Sequence, residues 1–431
     1  MKRKQFIKNA ALTAAGALVA PYILPSGRLF AATGSRKVNH VVFCLFAGGV
    51  RNLESMQKSE GNLMLNTLTG NESISADIIG GMTALPAPAS TRLQTLGTLY
   101  KEFRYPFGPT GHYNGHTTAI TGKYTDEAIQ LKQPPKYPTI FEYYRKHNSP
   151  SNSALNAWWV SDSLGPYPFL NYSSYEGYGA MYGANMIQPS SIFSYNTNSV
   201  LANPLQLDAN AKTKCDMMRG FMDGQFKAAT EAVSTGIKNT PEDAEHLQTF
   251  MRGIMTEVSQ GLHDNPWGVG GMNNDMLNIH FGTKILQEFK PELMVINMQG
   301  VDIGHFDFTK YVNNMRLADF ALYKLWDAIQ STPGLANDTV LIVAPEHGRN
   351  QLPNSVIDTY GRYALDHNND QMSREIFCLI VGPPGVVKQN QVITSITGES
   401  VDVVPTIANL LGFDTDMPPI VDGRHLNEAF N

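Results

Sequence analysis

Five apolar runs, each ended abruptly by glycine or by polar residues, constrain this chain more than any other feature. Residues 40–47 run apolar into Gly48-Gly49, and comparable runs recur at Ala154–Val160, Glu292–Met298, Thr339–Ala344 and Ile376–Val381. A strand with one wet face alternates apolar and polar residues. Runs without alternation fit strands buried on both faces, as in a parallel sheet. Helical patterns lie between the runs. Pro138–Lys146 carries a proline where a helix start tolerates one. Asn313–Ile329 places Leu317, Phe320, Ala321 and Leu325 at helical spacing. The predicted architecture is α/β: a doubly wound, mostly parallel sheet with helices on both faces.

With 431 residues the chain can bury a large core. The strand–helix rhythm breaks between about 166 and 274. That stretch opens rich in Tyr, Gly, Asn and Ser and continues with helical patterns around Ala209–Thr235 and Glu242–Leu262. It predicts an insertion that caps the ligand edge of the sheet, within a single domain spanning 35–431.

Residues 1–34 read as an export signal. Lys2, Arg3, Lys4 and Lys8 precede a moderately apolar stretch from Ala10 to Leu24, and Arg3-Lys4-Gln5-Phe6-Ile7-Lys8 has a twin-arginine-like form. The expectation is a periplasmic or exported protein, attached to a membrane only through an uncleaved signal. The segment holds five of the 33 basic residues and none of the 38 acidic ones, so the rest is more acidic than the whole-chain net charge of −5. No basic stripe remains, which argues against nucleic acid as a partner. Three cysteines make no disulfide framework. Cys44 and Cys378 lie inside apolar runs and read as small buried hydrophobes; Cys215 is uncommitted.

The chemistry is concentrated downstream, in Asp302-Ile303-Gly304-His305, Glu346-His347-Gly348-Arg349-Asn350 and Asp366-His367. Carboxylates and imidazoles are ligands that suit zinc and similar divalent ions. The first two groups directly follow apolar runs, so strand ends would deliver them to one crevice. Upstream, the loop Gly108–Thr118 carries Thr110, His112, Asn114, His116 and Thr117. If it opens a helix, its free N–H groups form an anion-binding end, and His112 and His116, four apart, share a face.

Two further segments carry a resemblance. Asp402-Val403-Val404-Pro405-Thr406 through Gly412-Phe413, with Pro418-Pro419 and Asp422-Gly423-Arg424-His425-Leu426, is similar to the closing segment of sulfatases and phosphomutases. Thr121-Gly122-Lys123-Tyr124 resembles the element that follows their nucleophile. Both belong to the alkaline phosphatase-like superfamily, and the motif style is nearest its exported DUF1501 branch. The resemblance implies that Asp302, His305 and His367 hold one divalent ion and that Glu346 and His347 hold a second or share the first. Zinc is expected first, with manganese or calcium as alternatives. Asp366 and Asp307 are candidates to fix ring orientation.

The superfamily ends its first strand in an Asp and uses a Ser, Thr or Cys nucleophile. In this chain the first place holds Gly48-Gly49 with Arg51 close by, and the second falls on His112. The candidate catalytic set is therefore His112, Thr110, Asn114, His116 and Arg51. The nucleophile stays open between Thr110 or Thr117 and water activated by a metal. Arg51, Asn114 and Arg349 are candidates to hold the anion. The implied function is an exported metal-dependent hydrolase of phosphate or sulfate esters, on a small-molecule or glycan substrate. The alternative is a degenerate member acting as an envelope binding or scaffold protein.

Overall fold

The computed structural model describes residues 34–73, 80–125, 134–148, 153–162, 170–193, 239–368 and 370–431. The export-signal reading and the helical pattern at Ala209–Thr235 lie outside them, as does Cys215. Eight strands form one sheet: β1 (His40–Phe46), β2 (Gly97–Arg104), β3 (Ala157–Val160), β4 (Asn185–Ile187), β5 (Leu293–Met298), β6 (Thr339–Pro345), β7 (Glu375–Val381) and β8 (Gln391–Ile393). Their order is β4-β3-β5-β1-β6-β7-β2-β8. The five strands from β4 to β6 are parallel, β7 runs against both its neighbours, and β8 is parallel to β2. The expected mostly parallel α/β sheet is what the chain forms, with all five apolar runs in it.

Burial on both faces explains the unbroken runs. Along β1, Val42, Cys44 and Phe46 enter one core while Val41, Phe43 and Leu45 enter the other. The first core is covered by α2 (Pro241–Ser259), α3 (Asn274–Phe289) and α4 (Phe308–Ser331). The second is covered by α1 (His112–Thr121), residues 140–144 and α5 (Val403–Leu411). Each fully buried large side chain contributes on the order of 1.5–3 kcal/mol, so β1, with five such residues and the smaller Cys44 buried in one row, anchors the molecule. Cys44 and Cys378 are buried within it, as expected of small hydrophobes.

Of the stretch expected as a capping insertion, the described parts contribute the edge strand β4 and the helix α2. Leu247, Met251 and Ile254 of α2 pack into the first core. No helix among the described residues is long and apolar enough to cross a membrane.

Because β5, β1 and β6 are adjacent and parallel, their carboxyl ends open on one edge of the sheet. Gly48-Gly49 follows β1, the turn of 3-10 helix Gly300–His305 follows β5, and Glu346-His347 follows β6. The site is assembled there, at the edge where open α/β sheets bind ligands.

Candidate metal centre

The 3-10 turn after β5 positions Asp302 and His305. In such a helix residues i and i+3 eclipse, so Asp302 and His305 lie on one face, with Asp302 Oδ1 3.6 Å from His305 Nε2. After β6, Glu346 turns inward and is fully buried, as is His347. Gly49 (φ +81°) allows the β1 loop to lie against that pair: a Cβ there would sit 2.6 Å from His347 Nδ1. The neighbouring Gly48 N–H donates to Glu346 Oε1 at 2.5 Å.

The helix predicted to open in the histidine loop begins at His112 and crosses directly over Glu346. Gly115 makes that crossing close, since a Cβ on it would meet Glu346 Cβ at 3.0 Å. His112 and His116, one turn apart, straddle the carboxylate. His112 Nδ1 is 2.6 Å from Oε1, and His116 Nδ1 contacts Oε2. The other nitrogen of His116 faces Asn297 Oδ1 at 3.0 Å. His116 is thus a buried partner of Glu346.

Two overlapping donor sets result. In one, His112, Asp302, His305 and His367 each place a ligand atom within 4.8 Å of the others; in the second, His112, Glu346 and His347 do the same. The groupings implied by the resemblance, Asp302 with His305 and His367, and Glu346 with His347, are each brought together. His112 joins both.

Proton positions test whether these donors fit a cation. His367 Nδ1 faces the Thr110 carbonyl at 2.5 Å, and a carbonyl only accepts, so Nδ1 carries the hydrogen and Nε2 is bare. His305 Nδ1 faces Asp366 Oδ1 at 2.8 Å, with the same consequence. The two bare Nε2 atoms then face each other at 2.7 Å. Lone pairs at that distance repel unless a proton or a metal ion lies between them. His347 repeats the pattern: Nδ1 faces the Gly348 carbonyl at 2.7 Å, and Nε2 is left towards Glu346 Oε1 at 3.2 Å. Asp302 Oδ1 and Glu346 Oε2 are buried without an aligned hydrogen bond, although His112 Nε2 lies 2.8 Å from Asp302 Oδ1 and His116 Nδ1 contacts Glu346 Oε2. Mixed imidazole and carboxylate donors with their outer nitrogens fixed by acceptors fit a divalent transition ion.

Without an ion, the protonation pattern follows from burial and charge. Burial disfavours the charged form of His112, but the Glu346 and Asp302 carboxylates override it and raise its pKa to about 10. Burial also opposes ionisation of Glu346, yet His116, His347 and His112 hold it well below the carboxylate range. His305, His347 and His367 are lowered, chiefly by burial, and stay neutral, the form that binds metal.

The remaining expected residues are engaged elsewhere. Arg51, expected on the anion, is buried in a salt bridge with Glu54, and it also donates to Glu60 and to the Gln351 carbonyl. Arg349 is fully buried and donates to the carbonyls of Gly49, Val301 and Leu365, so it ties the three strand-end loops together. Asn114 donates to Thr125. Thr110 gives its hydroxyl hydrogen to the His367 carbonyl, and Thr117 is buried in α1. Asp307 caps α4 through the Lys310 N–H, which leaves Asp366 as the carboxylate on His305. Thr121-Gly122-Lys123-Tyr124 closes α1 and is tied to the C-terminal segment through Lys123–Asp422 and Tyr124–Glu399.

No family model and no curated protein matches this sequence. Solved structures do. A protein in the alkaline phosphatase superfamily from Vibrio parahaemolyticus is 12% identical over 94% of this chain and 74% of its own, at a TM-score of 0.47. Wild-type alkaline phosphatase PafA is 10% identical over 93% of this chain and all of its own, at 0.48. The lipoteichoic acid synthase LtaP from Listeria monocytogenes is 13% identical over 91% and 78%, at 0.44. These neighbours are members of the alkaline phosphatase superfamily, the group whose motifs the sequence resembles, and at 10–13% identity no residue's role passes from them to this chain.

Proposed function

We propose that this protein is an exported, metal-dependent hydrolase of phosphate or sulfate esters, acting on a small-molecule or glycan substrate. The observation that carries the reading is the pair of bare Nε2 atoms of His305 and His367, 2.7 Å apart beside Asp302. Bound divalent ions would supply Lewis-acid polarisation of the ester oxygens and stabilise charge developing in the transition state. Asp302, His305 and His367 would hold one ion, and Glu346 and His347 the other. Zinc is the first candidate, with manganese or calcium as alternatives.

The chain's own part is to set charge and position. Asp302 and Glu346 bring two negative charges, fewer than two divalent ions would bring positive ones. Arg349 adds a buried cation 3.7 Å from Asp302 Oδ1. The loaded centre is net positive and favours an anionic group. The helix α1 begins at His112, which joins both donor sets, so the positive end of its dipole adds to that preference.

One observation favours the second reading, an envelope binding or scaffold protein: the Thr110 hydroxyl donates to the His367 carbonyl. The two readings separate in a single experiment. Protein purified without chelator is assayed for metal content and for hydrolysis of 4-nitrophenyl phosphate, its diester and 4-nitrophenyl sulfate, alongside His347→Ala. Metal-dependent turnover that is absent from a folded His347→Ala supports the hydrolase. Metal uptake without turnover of any ester moves the assignment to a binding protein, and no uptake at all overturns both the centre and the hydrolase.

A further inference from the structure

His112 stands between the two donor sets with a different ring nitrogen turned to each. Nε2 faces Asp302 Oδ1 at 2.8 Å and His367 Nε2 at 3.2 Å. Nδ1 faces Glu346 Oε1 at 2.6 Å and His347 Nε2 at 3.4 Å. No backbone carbonyl occupies either nitrogen, unlike His347 and His367, whose Nδ1 atoms are each committed to one. Among the cluster's histidines, His112 alone has both ring nitrogens directed at ligand atoms.

We infer that His112 bridges the centre as an imidazolate, with one metal ion on each ring nitrogen. This rests on the metal-centre reading above and specifies it. Both ring protons leave to solvent as the two ions bind, and the ring contributes one negative charge shared between them. Asp302, His305 and His367 complete the ion on Nε2; Glu346 and His347 complete the ion on Nδ1.

The arrangement separates the ions. Each ring nitrogen would hold its own ion, so the ring would stand between the two ions, unlike a two-metal clamp whose ions share one oxygen. A single ester oxygen would therefore not reach both ions, and an anion lying across the ring edge would offer each ion a different oxygen. With the imidazolate counted, two divalent ions and Arg349 still outweigh Asp302, Glu346 and the ring, so the site keeps its preference for anions.

The test does not depend on turnover. The full chain, stripped of metal, is loaded with Cu(II), its copper content is measured, and its electron paramagnetic resonance is recorded at low temperature. The expected result is two coppers per chain whose spins couple through the ring, so that the spin count falls well below the copper bound. Replacing one copper with Zn(II) should restore an isolated-copper signal. In His112→Ala, checked for folding by circular dichroism, binding should drop to one ion or to two uncoupled ones. Two coppers at full spin count in the unsubstituted protein would overturn the bridge while leaving the metal centre standing, as would uptake of one ion only. No uptake would remove the bridge and the centre together.

Discussion

Two pairs of histidines in this molecule touch at nearly the same distance and mean opposite things. At the sheet edge, His305 Nε2 and His367 Nε2 lie 2.7 Å apart. Between α2 and α3, His263 Nδ1 and His280 Nε2 lie 2.8 Å apart. The difference is in the far nitrogen. His263 Nε2 faces Glu257 Oε2 at 2.9 Å, so it carries a hydrogen and leaves Nδ1 free to accept one from His280. One proton serves each contact, and the chain from Glu257 to His280 is satisfied with both rings neutral. At the sheet edge, the Thr110 carbonyl and Asp366 draw the hydrogens outward, and the facing nitrogens are left with none. A close histidine pair is therefore not evidence of a metal site until the opposite nitrogen has been read.

The sharpest way to break this comparison is to delete one ring from each pair. His367→Ala removes a proposed direct ligand, and metal affinity should fall by more than the ~10–100-fold typical of losing an outer-shell partner. His263→Ala should leave affinity unchanged. Competition against a chromophoric chelator reads both. Equal losses in the two variants would mean that the contrast between the pairs is false.

A smaller effect tests the cause directly. Asp366→Asn keeps an acceptor oxygen near His305 Nδ1 but removes the charge that fixes the tautomer. Metal affinity should weaken by about 10–100-fold while the fold is kept. An unchanged affinity would show that the ring is held by something other than Asp366. The same titration on Asp307→Asn serves as the contrast, since Asp307 is engaged by the start of α4.

How much of this was legible beforehand depends on what each contact is made from. The strands were legible, because burial on both faces of β1, β5 and β6 leaves unbroken apolar runs, and the candidate ligand residues begin where the runs stop. His112 was placed at this edge only by the resemblance. Its contact with Glu346 spans 234 residues of chain, and nothing local to either marks it. The acceptors on His347 and His367 are backbone carbonyls, which leave no residue signature. Arg51 is the opposite case: Glu54, three residues on, and Glu60 were available in the sequence as partners for a buried cation. His263 and His280 form a pair because the turn that follows α2 brings His263 against α3, a contact 17 residues apart in the chain.

The smallest expected effect concerns that second pair and its response to acid. Burial, with the nearby His263 and Lys284, lowers the pKa of His280 to about 3, and burial with Lys284 lowers that of His263 despite Glu257. An unfolded chain takes up these protons near pH 6.5. Between roughly pH 6.5 and 3 the unfolded state therefore binds more protons than the folded one, so this pair's contribution is fully present above pH 6.5 and is lost as the pH falls. His280→Phe removes the titration and places an apolar ring among Trp267 and Phe281, which already pack there. The variant should flatten the fall in unfolding free energy between pH 6.5 and 4.5 by on the order of 1–2 kcal/mol, measured by urea titration at each pH. The metal-free protein is the form to use, because the ligands at the sheet edge titrate in the same range once an ion competes with their protons. If the slope is unchanged, the pair is protonated in the native state, and the single-proton chain that distinguishes it from His305 and His367 does not exist.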